Sequence, residues 1–164
     1  MWNFLKNFFN VFKKSPAEKL ERLLLKSFSV KIMIKILKLL LKSPGMLCDY
    51  QGRIGHDSYF FFTSDLYYNK ISLSRFESKV DSRYGNYERY DFCVENNAGD
   101  DKRSLILLIP EMSAQWEVNY RRMTDGGEEL KDVPLRIGKI VLKLYEKVSA
   151  PKYYFGPSPF GRKK

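Results

Sequence analysis

His56 and Asp57 are the one histidine–carboxylate neighbourhood in the chain, and so the first candidates for acid–base chemistry. A histidine oriented by a carboxylate can serve as a general base. Adjacent residues of an extended chain point to opposite faces, however, so direct pairing of the two side chains needs a turn. No nucleophile in a Gly-x-Ser-x-Gly context accompanies them. We interpret His56 as a loop histidine, and the sequence predicts no catalytic residue.

The sequence contains no pattern that indicates a metal site or a phosphate-binding loop. Glu-x-Lys triplets that follow an Asp, as a metal-dependent nuclease requires, occur at 77–79 and 129–131. The frequencies of Glu and Lys predict about one such triplet by chance, so two are no signal. One histidine and two cysteines do not form a zinc-binding cluster, and Gly52 and Gly55 lack the setting of a phosphate loop. The sequence therefore predicts no metal site and no cofactor.

Cys48 and Cys93 occur in a chain that shows no secretory signal. Without a basic start, an apolar stretch and a small-residue cleavage site, we expect a cytoplasmic protein that meets the inner face of a membrane. The thiols are then expected to be reduced and packed as small apolar groups, with a bridge between them left open. No transmembrane helix is predicted, because lysines interrupt the most apolar stretch, 30–41, and a span needs roughly 20 apolar residues.

Positive charge is concentrated at the two ends of the chain, whose net charge is +10. Residues 1–47 hold ten Lys and Arg against two Glu, and residues 134–164 hold eight against one. The middle, 48–133, holds eleven basic residues against sixteen acidic ones. Such asymmetry indicates an anionic membrane surface, a nucleic acid or an acidic protein as partner. The alternative is that the basic helices only complement the acidic middle of the same molecule.

The first 14 residues have the pattern of a helix that lies in a membrane interface. At about 100° per residue, Asn and Lys fall on one side and Trp, Phe and Leu on the other. This division is what an in-plane interfacial helix requires. The predicted membrane-contact residues are Trp2, Phe4, Leu5, Phe8, Phe9, Phe12, Lys13 and Lys14. The alternative is that the apolar side packs against the sheet or against a second copy.

Basic residues also recur at helical spacing further along the chain. The lysines of 31–42 are separated by four, three and four residues, and those of 136–147 share one arc. Together with the end of the tail they could follow the charges of an anionic surface. The predicted anionic-surface residues are Lys31, Lys35, Lys38, Lys42, Arg136, Lys139, Lys143, Lys147, Arg162, Lys163 and Lys164.

These patterns favour a non-enzymatic interaction protein that docks on an anionic surface, with peripheral membrane association first. Nucleic-acid binding is the second hypothesis, because aromatic residues beside basic ones in the tail could stack on unpaired bases. The acidic middle of the chain argues against it. The third is an inhibitor or immunity-type protein that binds another protein through the sheet face or the tail.

Helical period and capping signals place the basic residues that follow residue 14 on helices. A change in the direction of the apolar face near 27–29 indicates either a kink or two separate helices there. Ser15-Pro16-Ala17-Glu18 is a capping box that starts a helix running towards Phe28. The stretch 30–42 also alternates as a strand would, but its lysine spacing favours a helix. Residues 134–148 return to helical period. Strands are predicted at 59–62, 87–95, 105–109 and 115–121, with a hairpin loop at 96–101.

The pattern predicts an α+β fold with an antiparallel sheet of four to six strands, helices packed on one face, N-terminal amphipathic helices and a flexible C-terminal tail. The predicted organisation is an amphipathic helical segment at 1–45, an α+β domain at 46–150 and a basic, aromatic tail at 151–164. The predicted core consists of Leu24, Phe28, Ile36, Phe61, Phe92, Leu107, Trp116, Val118, Ile140 and Leu144.

Overall fold

The computed structural model of the chain describes residues 14–26, 29–61, 70–81, 85–96, 98–111 and 115–150. The helices of these residues are α1 (Pro16–Leu24), α2 (Val30–Lys42) and α3 (Leu135–Ser149), with a short 3-10 turn at Pro44–Met46. The strands are β1 (Leu47–Arg53), β2 (His56–Phe61), β3 (Lys70–Asp81), β4 (Gly85–Glu95), β5 (Asp101–Pro110), β6 (Glu117–Thr124) and β7 (Gly127–Asp132). The α+β class is confirmed.

The helices begin where the sequence provides caps. Ser15 accepts a hydrogen bond from the Glu18 backbone, and the Glu18 side chain accepts one from the Ser15 backbone, which completes the predicted capping box. The Ser29 hydroxyl accepts from the backbone N–H of Ile32 at the start of α2. Residues 30–42 are therefore helical, and the alternative strand interpretation is wrong. The helix that begins at Pro16 ends at Leu24, short of the predicted Phe28, which lies outside the described residues.

The strands form one antiparallel sheet in which each strand pairs with the next along the chain, β1 through β7. Long, evenly paired registers join the central strands: Leu73 lies opposite Phe92, Phe92 opposite Leu105, and Leu107 opposite Val118. Residues two apart on a strand point to the same face of the sheet. With these registers, the side chains of one face form rows that run across several strands.

Seven strands are present where four to six were predicted, so that part of the prediction is wrong. β7 shows the physical reason, because five of its six residues are exposed and no apolar alternation marks it. Residues 125 and 126 form the turn that joins β6 to β7. β1 and β3 were also not predicted.

One hydrophobic cluster joins side chains of all three helices to the sheet. α3 contacts α2 and the strands β4, β5 and β6. Seven residues of the predicted core are buried, namely Leu24, Ile36, Phe61, Phe92, Leu107, Val118 and Leu144. Trp116 and Ile140, also predicted in the core, are half-buried and pack against this cluster.

Cys93 is a free, buried thiol on β4. Its strand is separated from β1, which carries Cys48, by β2 and β3. Neighbouring strands lie about 4.8 Å apart, so three steps across the sheet exceed the Cα separation that a disulfide allows. The bridge that the sequence left open is therefore not formed.

Candidate anionic-surface site

The four lysines of α2 lie on the outer side of the helix. Lys31, Lys35, Lys38 and Lys42 are all exposed. The opposite side of the same helix is fully inside the cluster, through Ile32, Met33, Ile36, Leu37 and Leu40. This division fixes the rotation of the helix about its axis, because turning the lysines inward would bury several charges. The predicted stripe is therefore presented to solvent.

α3 adds further cations on its outer side. Arg136, Lys139 and Lys143 are exposed, whereas Lys147 is half-buried and its Nζ donates a hydrogen bond to the Leu41 carbonyl oxygen at 2.9 Å. This contact places a positive charge on the last turn of α2, where carbonyl groups lack helical partners. It also brings the C-terminal ends of the two helices together. We call the exposed cations of α2 and α3 the basic helix surface: Lys31, Lys35, Lys38, Lys42, Arg136, Lys139 and Lys143.

The ion pairs of the described residues lie in the sheet. Arg75 pairs with Glu77 and Glu88, Arg89 with Asp91, Arg103 and Arg122 with Asp101, Arg121 with Glu128, and Lys131 with Glu129. Within the described ranges, no member of the basic helix surface forms a salt bridge. α2 contains no acidic residue, and α3 contains only Glu146. The carboxylates of the sheet therefore neutralise sheet arginines rather than the helices.

Asp101 shows how strongly the sheet is paired with itself. It accepts hydrogen bonds from Arg103 of the same strand at 2.6 Å and from Arg122 of the neighbouring strand β6 at 3.1 Å. The hydrogen bond from Arg103, followed by that from Arg122, holds the pKa of Asp101 below its ordinary value. A carboxylate held in this way stays charged at neutral pH and stays committed to its own strands.

His56 and Asp57 are brought to opposite faces of β2. The His56 ring stacks on Phe76 with centroids 4.3 Å apart, and its Nε2 lies 3.0 Å from the Ser58 Oγ. Asp57 instead accepts hydrogen bonds from the Tyr50 hydroxyl at 2.7 Å and the Tyr145 hydroxyl at 3.1 Å. The interpretation of His56 as a loop residue is wrong, because it begins a strand. Asp57 therefore does not orient His56.

A second polar cluster lies beside Asp57 and was not predicted from the sequence. The Tyr90 hydroxyl donates to Glu88 at 2.7 Å, and Arg75 donates to the same carboxylate at 2.8 Å. Burial and the bond to Glu88 raise the pKa of Tyr90 to about 12. Burial alone would raise the pKa of Glu88, but bonds from Tyr90 and Arg75 outweigh it and the net shift is downward. The pairing of β3 with β4 places these residues side by side, and no local pattern in the sequence predicts that pairing.

The predicted residues at the two ends of the chain lie mostly outside the described residues. Lys14 is described and is half-buried. The others cannot be placed: Trp2, Phe4, Leu5, Phe8, Phe9, Phe12, Lys13, Arg162, Lys163 and Lys164. Residues 1–13 of the predicted helix 1–14 and the predicted flexible tail, 151–164, also lie outside the described residues.

The described ranges contain neither a metal-binding cluster nor a membrane-spanning helix. There, no group of three or more His, Cys, Asp or Glu side chains is arranged to hold a metal ion. None of the helices described has both the length and the apolar character that crossing a bilayer requires. No protein-family model, no curated protein and no solved structure matches the chain.

Proposed function

We propose that this protein is a non-enzymatic interaction protein that docks on an anionic surface through the basic helix surface, and that this surface is a membrane interface. The observation that carries the proposal is the separation of charge among the described residues. Five arginines of the strands pair with strand carboxylates, while seven helix cations are exposed and form no salt bridge among the described residues. A cation without an internal partner is free to meet an external anion.

The chemistry of the site suits a lipid headgroup surface. Each Lys or Arg near an anionic leaflet contributes about 1 kcal/mol to binding. The contact between Lys147 and Leu41 brings the C-terminal ends of α2 and α3 together. In this proposal the helices lie on one face of the sheet, and their outer sides form a continuous docking surface.

A membrane is preferred to a nucleic acid because of what precedes α1. The residues before Lys14 include Trp2, Phe8 and Phe12, whose aromatic side chains suit the interface between headgroups and acyl chains. A nucleic acid would use the same lysines but has no use for an apolar anchor. Nucleic-acid binding is therefore the alternative that the experiment below must separate.

The test is co-sedimentation of the full chain with vesicles of phosphatidylserine and phosphatidylcholine, compared with phosphatidylcholine alone. We expect binding only to the anionic vesicles. The double variant Lys35→Gln/Lys38→Gln removes two exposed charges from α2, so its vesicle affinity should fall by about 2 kcal/mol, or on the order of 30-fold.

The matched control is Arg53→Gln/Lys102→Gln, which removes two exposed charges from the sheet. It should bind vesicles as the native chain does. Equal losses in both variants would show that only net charge matters, and no vesicle binding at all would end the membrane proposal. A steep loss of affinity for single-stranded DNA with salt, without vesicle binding, would favour the nucleic-acid alternative.

A further inference from the structure

A cavity of about 570 Å³ opens at one end of the sheet, where β3 and β5 finish and β4 begins. Its described lining combines apolar and acidic groups. The apolar part comes from Tyr87, Ile109 and Pro110, and the acidic part from Glu77, Glu88 and Glu111. The volume is that of a site for a ligand or a few peptide side chains. A cavity with an apolar wall and an acidic wall suits a ligand or peptide segment in which a positive charge lies next to an apolar group.

The described lining of the cavity is negatively charged after its pairing with Arg75 is counted. Arg75 Nη2 donates to Glu77 at 2.6 Å and to Glu88 at 2.8 Å, so one cation serves two carboxylates. Glu111 is exposed, and its side chain has no hydrogen-bond or ion-pair partner among the described residues. Among the described residues, the three carboxylates of the lining and the guanidinium of Arg75 sum to a charge of −2 at neutral pH. A cationic occupant is therefore favoured over a neutral or anionic one.

We infer that this cavity receives the chain's own C-terminal segment, residues 151–164. The segment contains Lys152, Arg162, Lys163 and Lys164 and no acidic residue, so its charge complements that of the cavity. It also contains four aromatic residues and three prolines, which can cover the apolar wall. Docking of the tail is independent of vesicle binding, because it depends on sheet carboxylates rather than on the basic helix surface.

The end of α3 lies close enough to the cavity for the tail to reach it. The Tyr145 ring is 5.1 Å from the Tyr90 ring, and the Tyr90 hydroxyl is 2.7 Å from Glu88, which lines the cavity. At about 1.5 Å per helical residue, the tail starts roughly 8 Å beyond Tyr145. Fourteen extended residues span at most about 50 Å, which is long enough to reach from the end of α3 back to the cavity beside Glu88.

The test is paramagnetic relaxation enhancement in the full chain. A nitroxide is attached at Lys163→Cys, with both native cysteines changed to alanine. We expect the amide signals of Asn86, Ile109 and Glu111 to broaden while that of Leu130, on the far edge of the sheet, stays sharp. Glu77→Gln/Glu111→Gln should reduce the ratio of docked to undocked tail on the order of fivefold, since it removes two exposed charge partners. The matched control Asp125→Asn/Asp132→Asn removes two exposed carboxylates elsewhere and should leave the broadening unchanged.

A second measurement avoids the cysteine changes. In the otherwise native chain, Arg162→Gln/Lys163→Gln/Lys164→Gln should shift the amide signals of Asn86 and Glu111 and leave Leu130 unmoved. Broadening that persists in Glu77→Gln/Glu111→Gln would overturn the inference. So would broadening that arises only between labelled and unlabelled chains in a mixture, because the occupant would then be a second copy. Unmoved cavity signals in the tail variant would overturn it as well.

Discussion

At the scale of single residues, the Tyr90 hydroxyl is bonded to a carboxylate close to the ring of Tyr145. It is buried, it donates to the Glu88 carboxylate at 2.7 Å, and Arg75 holds that carboxylate from the other side. Removing the hydroxyl leaves Glu88 with one donor fewer. A hydrogen bond to a charged group contributes more to stability than a neutral one, but Glu88 is partly exposed and its bond is weakened by solvent.

Tyr90→Phe should therefore lower the free energy of unfolding by about 1–2 kcal/mol near pH 8. The difference should shrink at alkaline pH, because the folded-state pKa of Tyr90, about 12, lies above the value of about 10 in the unfolded chain. A raised pKa of this kind gives stability that is complete below about pH 10 and is lost as the pH rises towards the folded value. Urea unfolding of both proteins between about pH 8 and 12 measures it. A difference that stays constant over that range would contradict the bond to Glu88.

At the scale of elements, the seating of α3 on the sheet depends on one glycine. A Cβ at Gly138 would lie 2.6 Å from Val118 Cγ2 and 2.8 Å from Leu107 Cδ1, closer than any real contact. Helix and strands can approach this closely only because no side chain stands between them. The absence of a side chain at residue 138 therefore determines how closely α3 packs against β5 and β6.

Gly138→Ala should lower the free energy of unfolding by about 1–2 kcal/mol. Overpacking costs about 1–3 kcal/mol, and alanine recovers up to about 1 kcal/mol as the better helix former. The matched control is Gly45→Ala, where nothing lies within 4 Å of the added Cβ. That change should stay within about 0.5 kcal/mol by urea unfolding. A stabilised Gly138→Ala protein would mean that α3 sits further from the sheet.

Elements with a strong local signal could be predicted from the sequence, and elements without one could not. The capping box at Ser15 and the lysine spacing of 31–42 gave two helices, because both depend on residues within a few positions of each other. β4 and β5 showed alternating or continuous apolar residues. β7 exposes nearly all of its side chains, so it exists only because β6 offers an edge with which to pair.

The candidate site likewise contains features that follow from a local sequence pattern and features that do not. Exposure of the α2 lysines follows from helical period alone and is confirmed. Contacts such as Arg75 with Glu88 or Tyr145 with Asp57 join residues 13 and 88 positions apart. They depend on strand register and on where α3 crosses the sheet, which no local pattern specifies. The acidic cavity is a product of these long-range placements and was therefore not foreseen.

At the scale of the whole molecule, the neighbouring positive charges of α2 lower the stability of the folded protein. Lys31 and Lys35, Lys35 and Lys38, and Lys38 and Lys42 are pairs of like charge at spacings of four, three and four on one helix side. Each such pair destabilises a helix by about 0.2–0.5 kcal/mol. Among the described residues, no carboxylate within salt-bridge distance offsets this repulsion. Residues kept at such a cost are typical of binding surfaces rather than of structural ones.

Lys35→Gln/Lys38→Gln should therefore raise the free energy of unfolding, by about 0.5–1 kcal/mol, while it weakens vesicle binding. Glutamine has nearly the helix propensity of lysine, so the gain reports the repulsion that was removed. Urea unfolding at low ionic strength measures the gain, and added salt should shrink it by screening. Arg53→Gln/Lys102→Gln should change neither stability nor binding appreciably. A loss of stability in the α2 variant would mean that these lysines are neutralised within the molecule, and the docking surface would then lose its physical basis.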